Sequence, residues 1–145
     1  MGKLPCRKVL GEVFVHESEE YDKVANAFSL FFPKKAMKEE TAPGVFGTFI
    51  KIVRAEINKK SAQELVQKIV GSLSTEEKKR ILNELKLRLS EDGKFYLRFD
   101  KQVAYSDEKM VLTSEEEDSI QVVLALEAYP ANIAGYAKAA KAIFS

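Results

Sequence analysis

Residues 120–128 read Ile-Gln-Val-Val-Leu-Ala-Leu-Glu-Ala, with an apolar side chain at every second position. Side chains two apart share a face only in a β-strand, so this stretch predicts a half-buried strand. Ile120, Val122, Leu124, Leu126 and Ala128 form its inner row. The outer row, Gln121, Val123, Ala125 and Glu127, is mixed in polarity and predicts a partly open second sheet face. Two other stretches alternate in the same way. Val9, Val13 and Val15 interleave with Leu10, Glu12 and Phe14, while Phe95, Leu97 and Phe99 interleave with Tyr96, Arg98 and Asp100. Residues 49–57, rich in β-branched side chains, make a further strand.

Helix signals separate these strands. Ser18 stands at an N-cap position before Glu19 and Glu20, and Pro33 ends a stripe of Val24, Ala27, Phe28 and Phe31. Ser61 with Glu64 and Ser74 with Glu77 have capping-box spacing. Leu65, Ile69 and Leu73 form the seam of one helix; Ile81 or Leu82, Leu85 and Leu89 form the seam of the other. Pro130 opens a last helix that turns Ile133, Ala137, Ala140 and Phe144 inward. Residues 34–47 read as a turn-rich connection, and residues 101–112 as an irregular excursion or a weak extra strand. The resulting order, β-α-β-α-α-β-(β)-β-α, predicts an α+β fold with a mainly antiparallel or mixed sheet and helices packed on one face. At 145 residues the expectation is one domain over 1–145, with residues 1–7 a flexible N-terminal segment.

Composition excludes several functions. The single cysteine, Cys6, and single histidine, His16, rule out a disulfide framework, a multi-cysteine zinc site and a two-histidine metalloprotease motif. The run Glu115, Glu116, Glu117 and Asp118 lacks the alternating ligands and glycine of a calcium loop. Gly44 and Gly47 stand without a dinucleotide or phosphate-loop motif. His16 closes the first strand with no second catalytic partner spaced to help it. The expectation is a non-enzyme with no metal and no cofactor. No apolar stretch suggests a membrane span or a signal peptide, so a cytoplasmic protein with a reduced Cys6 is expected.

Charge is uneven. Of the 23 basic and 22 acidic residues, residues 1–105 hold 20 and 15, and residues 106–145 hold 3 and 7, giving +5 and −4. Such polarity suits a phosphate-binding surface inside a nearly neutral chain. Tyr96, Arg98 and Lys101 place an aromatic ring, a guanidinium and an ammonium within six residues of each other, the kind of set that stacks bases and takes phosphates. The same residues also suit a sheet face paired by charge.

The run Phe95-Tyr96-Leu97-Arg98-Phe99-Asp100-Lys101-Gln102-Val103-Ala104-Tyr105 is similar to an archaeal RNA-binding family described as predicted exosome subunits. That family carries L-R-F-D-K-Q-A-A-Y, and this chain departs from it at Val103. Phe14-Val15-His16, Phe32-Pro33 and Ala128-Tyr129-Pro130 match in order, so the resemblance covers about residues 9–144. Residues 44–50 depart, reading Gly-Val-Phe-Gly-Thr-Phe-Ile where the family has G-H-Y-G-N-P-I. The resemblance implies a curved sheet like that of ribosomal protein L-five, RNA binding, and association with the RNA-degrading exosome. It carries over Arg98, Asp100, Lys101, Gln102, Tyr105 and His16. The expected RNA contacts are Tyr96, Arg98, Lys101, Gln102, Tyr105 and His16. The alternative is a homodimer, or docking on a larger assembly, through the open sheet face or a strand edge.

Overall fold

The computed structural model describes residues 3–44, 47–115 and 118–145. It is an α+β fold whose five-stranded antiparallel sheet has the order β2-β3-β1-β5-β4. The strands are β1 (Cys6–Val15), β2 (Met37–Pro43), β3 (Phe49–Asn58), β4 (Lys94–Asp100) and β5 (Ser119–Leu126). The helices are α1 (Tyr21–Phe28), α2 (Lys59–Ser72), α3 (Thr75–Asn83), α4 (Leu85–Arg88), α5 (Lys101–Ser106) and α6 (Ile133–Phe144). The chain divides into two compact units, one of residues 1–9, 57–97 and 123–145, the other of residues 10–56 and 98–122.

In the first unit α6 packs on α3 and α4, and the Phe95 and Phe144 rings stack with centroids 5.5 Å apart. Ile69, Ile81, Leu97 and Leu124 are fully buried there. Each such side chain contributes about 1.5–3 kcal/mol of transfer free energy. The expected capping box of α3 is present: Glu77 N donates to Ser74 Oγ at 3.1 Å, and Ser74 N donates to Glu77 Oε1 at 2.9 Å. At Gly93 (φ +87°) an added Cβ would lie 2.5 Å from the Tyr136 ring, so both backbone and space require glycine.

The second unit is built on phenylalanines. Phe28 and Phe32 pack with centroids 5.0 Å apart, as do Phe31 and Phe99. In β1, Gly11 leaves room for this cluster; a Cβ there would meet Phe32 at 2.1 Å. β2 pairs antiparallel with β3, from Met37↔Ala55 to Pro43↔Phe49.

Several sequence expectations need correction. The segment read as turn-rich contains β2, an exposed strand whose charges mask any alternation. Val45 and Phe46 of the divergent 44–50 stretch lie outside the described residues, as do Glu116 and Glu117. Ser18 is not an N-cap; α1 starts after Glu20, and it ends at Phe28 rather than at Pro33. Ser61 opens no box either, because α2 begins at Lys59 behind Asn58. α6 is capped by Asn132, whose side chain accepts from Gly135 N at 2.8 Å, and Ile133 at its first position is exposed. Cys6 and Arg7 are residues of β1, and Cys6 is fully buried. The outer row of β5 is not open, since Val123 and Ala125 are buried beside the inner row.

Candidate functional site

Five of the expected RNA contacts, Tyr96, Arg98, Lys101, Gln102 and Tyr105, lie along β4 and α5, and the sixth, His16, follows β1. Asp100 explains the turn: its carboxylate accepts from Val103 N at 2.9 Å and caps α5. The cap makes Lys101 the first residue of the helix and leaves Gln102 and Tyr105, one turn apart, on its exposed side.

Lys101 does not face solvent. Its side chain is 3% exposed, and its ammonium lies 3.0 Å from Phe14 O, 2.9 Å from Glu19 Oε1 and 2.6 Å from Asp118 Oδ1. Phe14 O and Glu19 Oε1 accept hydrogen bonds from the ammonium, and Asp118 Oδ1 adds an ion pair. The expected phosphate contact at Lys101 is therefore corrected: this cation is internal, and it ties β1, the β1–α1 loop and the start of β5 together. Glu19 also accepts from His16 N at 2.9 Å, and His16 Nε2 stands 3.8 Å from Asp118 Oδ1. His16, Glu19 and Asp118 thus bring possible ligand atoms within 4.8 Å of one another, and the ammonium already supplies positive charge to their carboxylates.

Arg98 is half-buried on the outer row of β4 and donates to Ser119 Oγ at 3.3 Å. Tyr96, on the same row of that strand, belongs to the other unit and is exposed; its carbonyl accepts from Arg88 Nη1 at 3.1 Å. The contiguous motif thus separates in space: Lys101 is inside, and Gln102 and Tyr105 are on a helix surface.

Within the second unit α1 packs on α5, and a pocket of about 260 Å³ opens between them. Val24 and Ala27 are its buried floor, and Lys23, Gln102 and Tyr105 stand at its rim. The Lys23 ammonium lies 5.5 Å from the centroid of the Tyr105 ring, which is 42% exposed. Contact with the Tyr105 hydroxyl, and then the charge of Glu20, raises the Lys23 pKa above the ordinary lysine value. Lys23 was not legible as a partner of Tyr105, because a contact between residues so far apart leaves no periodicity in the sequence.

On the other side of the β1–α1 loop lies a second pocket, of about 280 Å³, with Glu19 in the walls of both. Phe49, Tyr21, Lys51 and His16 line it. The Lys51 ammonium lies 5.1 Å from the Tyr21 ring centroid and 3.6 Å from Glu39 Oε1. Partial burial and the neighbouring Glu39 raise the Tyr21 pKa above the ordinary tyrosine value. Arg54, by contrast, is held between Glu12 and Glu40. Among the described residues no helix is long and apolar enough to cross a membrane.

The chain is 33% identical over 136 residues to RNA-binding protein PAB1135 of Pyrococcus abyssi, covering 89% of this chain and 87% of that one. Protein AF2318 from Archaeglobus fulgidus superposes with a TM-score of 0.84 at 28% identity, over 95% of this chain and 99% of the other. Protein SSO0741 from Sulfolobus solfataricus superposes with a TM-score of 0.72 at 28% identity, over 94% and 96%. Residues 8–126 match the model of the family described as RNA binding, and the chain belongs to that family.

Proposed function

We propose that this chain is a non-catalytic RNA-binding protein that takes unpaired RNA on the surface formed by α1 and α5. The observation that carries the reading is the exposed Tyr105 ring with the Lys23 ammonium 5.5 Å from its centroid, on a pocket that Gln102 also lines. A base stacks on the tyrosine, the ammonium meets the adjoining phosphate, and the Gln102 amide offers both a donor and acceptors to a base edge. Arg98 and His16 extend the reading within the same unit, His16 across the β1–α1 loop; Tyr96, exposed in the other unit, is a separate candidate for base stacking. Lys101 acts as a positioning residue that fixes this loop from inside.

Membership of the RNA-binding family supports the class of ligand. Service as an accessory factor of an archaeal RNA exosome is the finer proposal, supported by the resemblance of residues 95–105. A homodimer through the β2 edge draws less support, because Lys38, Glu39, Glu40 and Pro43 stand on that strand and oppose edge-to-edge pairing.

A filter-binding titration of single-stranded and structured RNA against salt tests the reading. The logarithm of affinity is expected to fall with the logarithm of salt by about 0.7 for each single-strand phosphate neutralised. Tyr105→Ala should cost roughly 1–3 kcal/mol of affinity at unchanged slope, the mark of a lost stack. Lys23→Ala should lower the slope. Salt-independent binding, or full affinity in both variants, would refute the assignment.

A further inference from the structure

We infer that the pocket between Phe49 and Tyr21 is a second base-binding site, which holds one unpaired nucleobase of the same RNA strand. The inference rests on the RNA-binding reading and adds to it a place and a ligand class.

Phe49 is the first residue of β3, and its side chain is 64% exposed. A phenylalanine left in water forgoes its burial free energy, and an exposed ring on a concave surface is a feature of binding sites. Here the ring stands in a pocket of about 280 Å³ floored by the buried Val15. That volume lies just under the lower end of the roughly 300–1,000 Å³ range of drug-sized sites and is on the scale of one nucleotide.

The lining adds a second aromatic, Tyr21, with a cation beside it. Lys51 pairs with Glu39 at 3.6 Å, and both side chains are half in solvent. Such a surface pair is worth little, so the ammonium is available for exchange to a phosphate. His16 and Thr41 bring ring nitrogens and a hydroxyl to the same pocket, partners for the heteroatoms of a base edge. An apolar peptide side chain would use the rings and leave these polar groups without a role. An unpaired nucleotide uses both sets, and Glu17 and Glu19 in the same lining offer acceptors to the amino group of a base.

The two pockets flank one loop, which supplies Glu19 to both linings. Lys101 anchors that loop through Glu19. A strand crossing it meets a ring and an ammonium on each side: Tyr105 with Lys23, then Phe49 or Tyr21 with Lys51.

The test measures binding of a fluorescein-labelled oligouridylate to the parent, Phe49→Ala, Phe49→Trp and Tyr105→Ala proteins across a salt series. A second arm crosslinks a 4-thiouridine oligonucleotide and maps the attached peptides. Phe49→Ala is expected to weaken binding by roughly 5- to 100-fold with the salt slope unchanged, and Phe49→Trp to restore it. Crosslinks should fall on the peptides of Phe49 or Tyr21 as well as that of Tyr105. Parental affinity in Phe49→Ala, with loss in Tyr105→Ala, overturns the second pocket and leaves the α1–α5 surface standing. Absence of RNA binding by the parent overturns both. Unchanged RNA affinity with self-association lost in Phe49→Ala would assign the pocket to a second copy of the chain and overturn the inference. A lower melting temperature in Phe49→Ala with no rescue by tryptophan would give Phe49 a folding role and overturn it too.

Discussion

Replacing Lys101 with methionine separates a structural cation from a ligand-binding one. Methionine keeps much of the apolar stem and removes the charge and all three donors. The parent ammonium is buried between Glu19 and Asp118, with Phe14 O as its third partner. Removing one member of a fully buried ion pair costs about 3–5 kcal/mol, because the remaining charges stay uncompensated. Here the Asp118 side chain is 44% exposed, so water screens part of that cost and the lower end, about 3 kcal/mol, is expected. For a chain of this size each kcal/mol shifts the melting temperature by roughly 2–4 °C, so Lys101→Met should melt about 6–12 °C below the parent. Thermal unfolding by circular dichroism measures the shift. Adding Glu19→Gln and Asp118→Asn should recover part of it by removing the orphaned charges. RNA titrations on the folded Lys101→Met protein should keep the parental salt slope. A melting temperature within two degrees of the parent, joined to a slope reduced by about 0.7, would refute the internal role and return Lys101 to the phosphate contacts.

Leu124→Ala, in the inner row of β5, should cost roughly 2–5 kcal/mol in urea unfolding, because Leu124 is fully buried. Burial raises the Cys6 thiol to about 11, with a backbone hydrogen bond from Lys8 opposing and the charge of Glu127 adding to the effect. The thiolate is the reactive form, so native protein at pH 8 should react with a disulfide reagent far more slowly than urea-unfolded protein. The same shift has a stability sign. Its contribution is fully present below the unfolded value of 9.0 and is lost as pH rises through about 11. Equal labelling rates in folded and unfolded protein would contradict the burial of Cys6.

Legibility in the sequence followed the range of the interactions. The inner row of β5 was readable because Ile120, Val122, Leu124 and Leu126 repeat a local geometry, and all are buried. Ser74 and Glu77 were readable for the same reason, since a capping box closes within one turn. Ser18 and Ser61 carry the same local signal without being caps. At the first, Glu19 is drawn into the Lys101 cluster, a tertiary contact that overrides local preference. β2 was invisible because its exposed residues draw their order from pairing with β3 rather than from burial. In the motif, residue types alone could not separate Lys101, turned inward, from Gln102, turned outward. The distinction is made by the Asp100 cap, which sets where the helix begins.

The buried lysine also changes how the acidic stretch is understood. As a block of like charge, residues 115–118 suggest a solvated loop placed away from any RNA. Asp118 instead reaches Lys101 at 2.6 Å. With Glu19 it closes a cluster that fixes the β1–α1 loop between two pockets, each holding an exposed aromatic and an ammonium. A loop held by charge-assisted bonds costs less ordering when a strand arrives than one that must be fixed on binding. Lys101 offsets one of the two carboxylate charges of Glu19 and Asp118, and the cluster positions the rings and cations beside it.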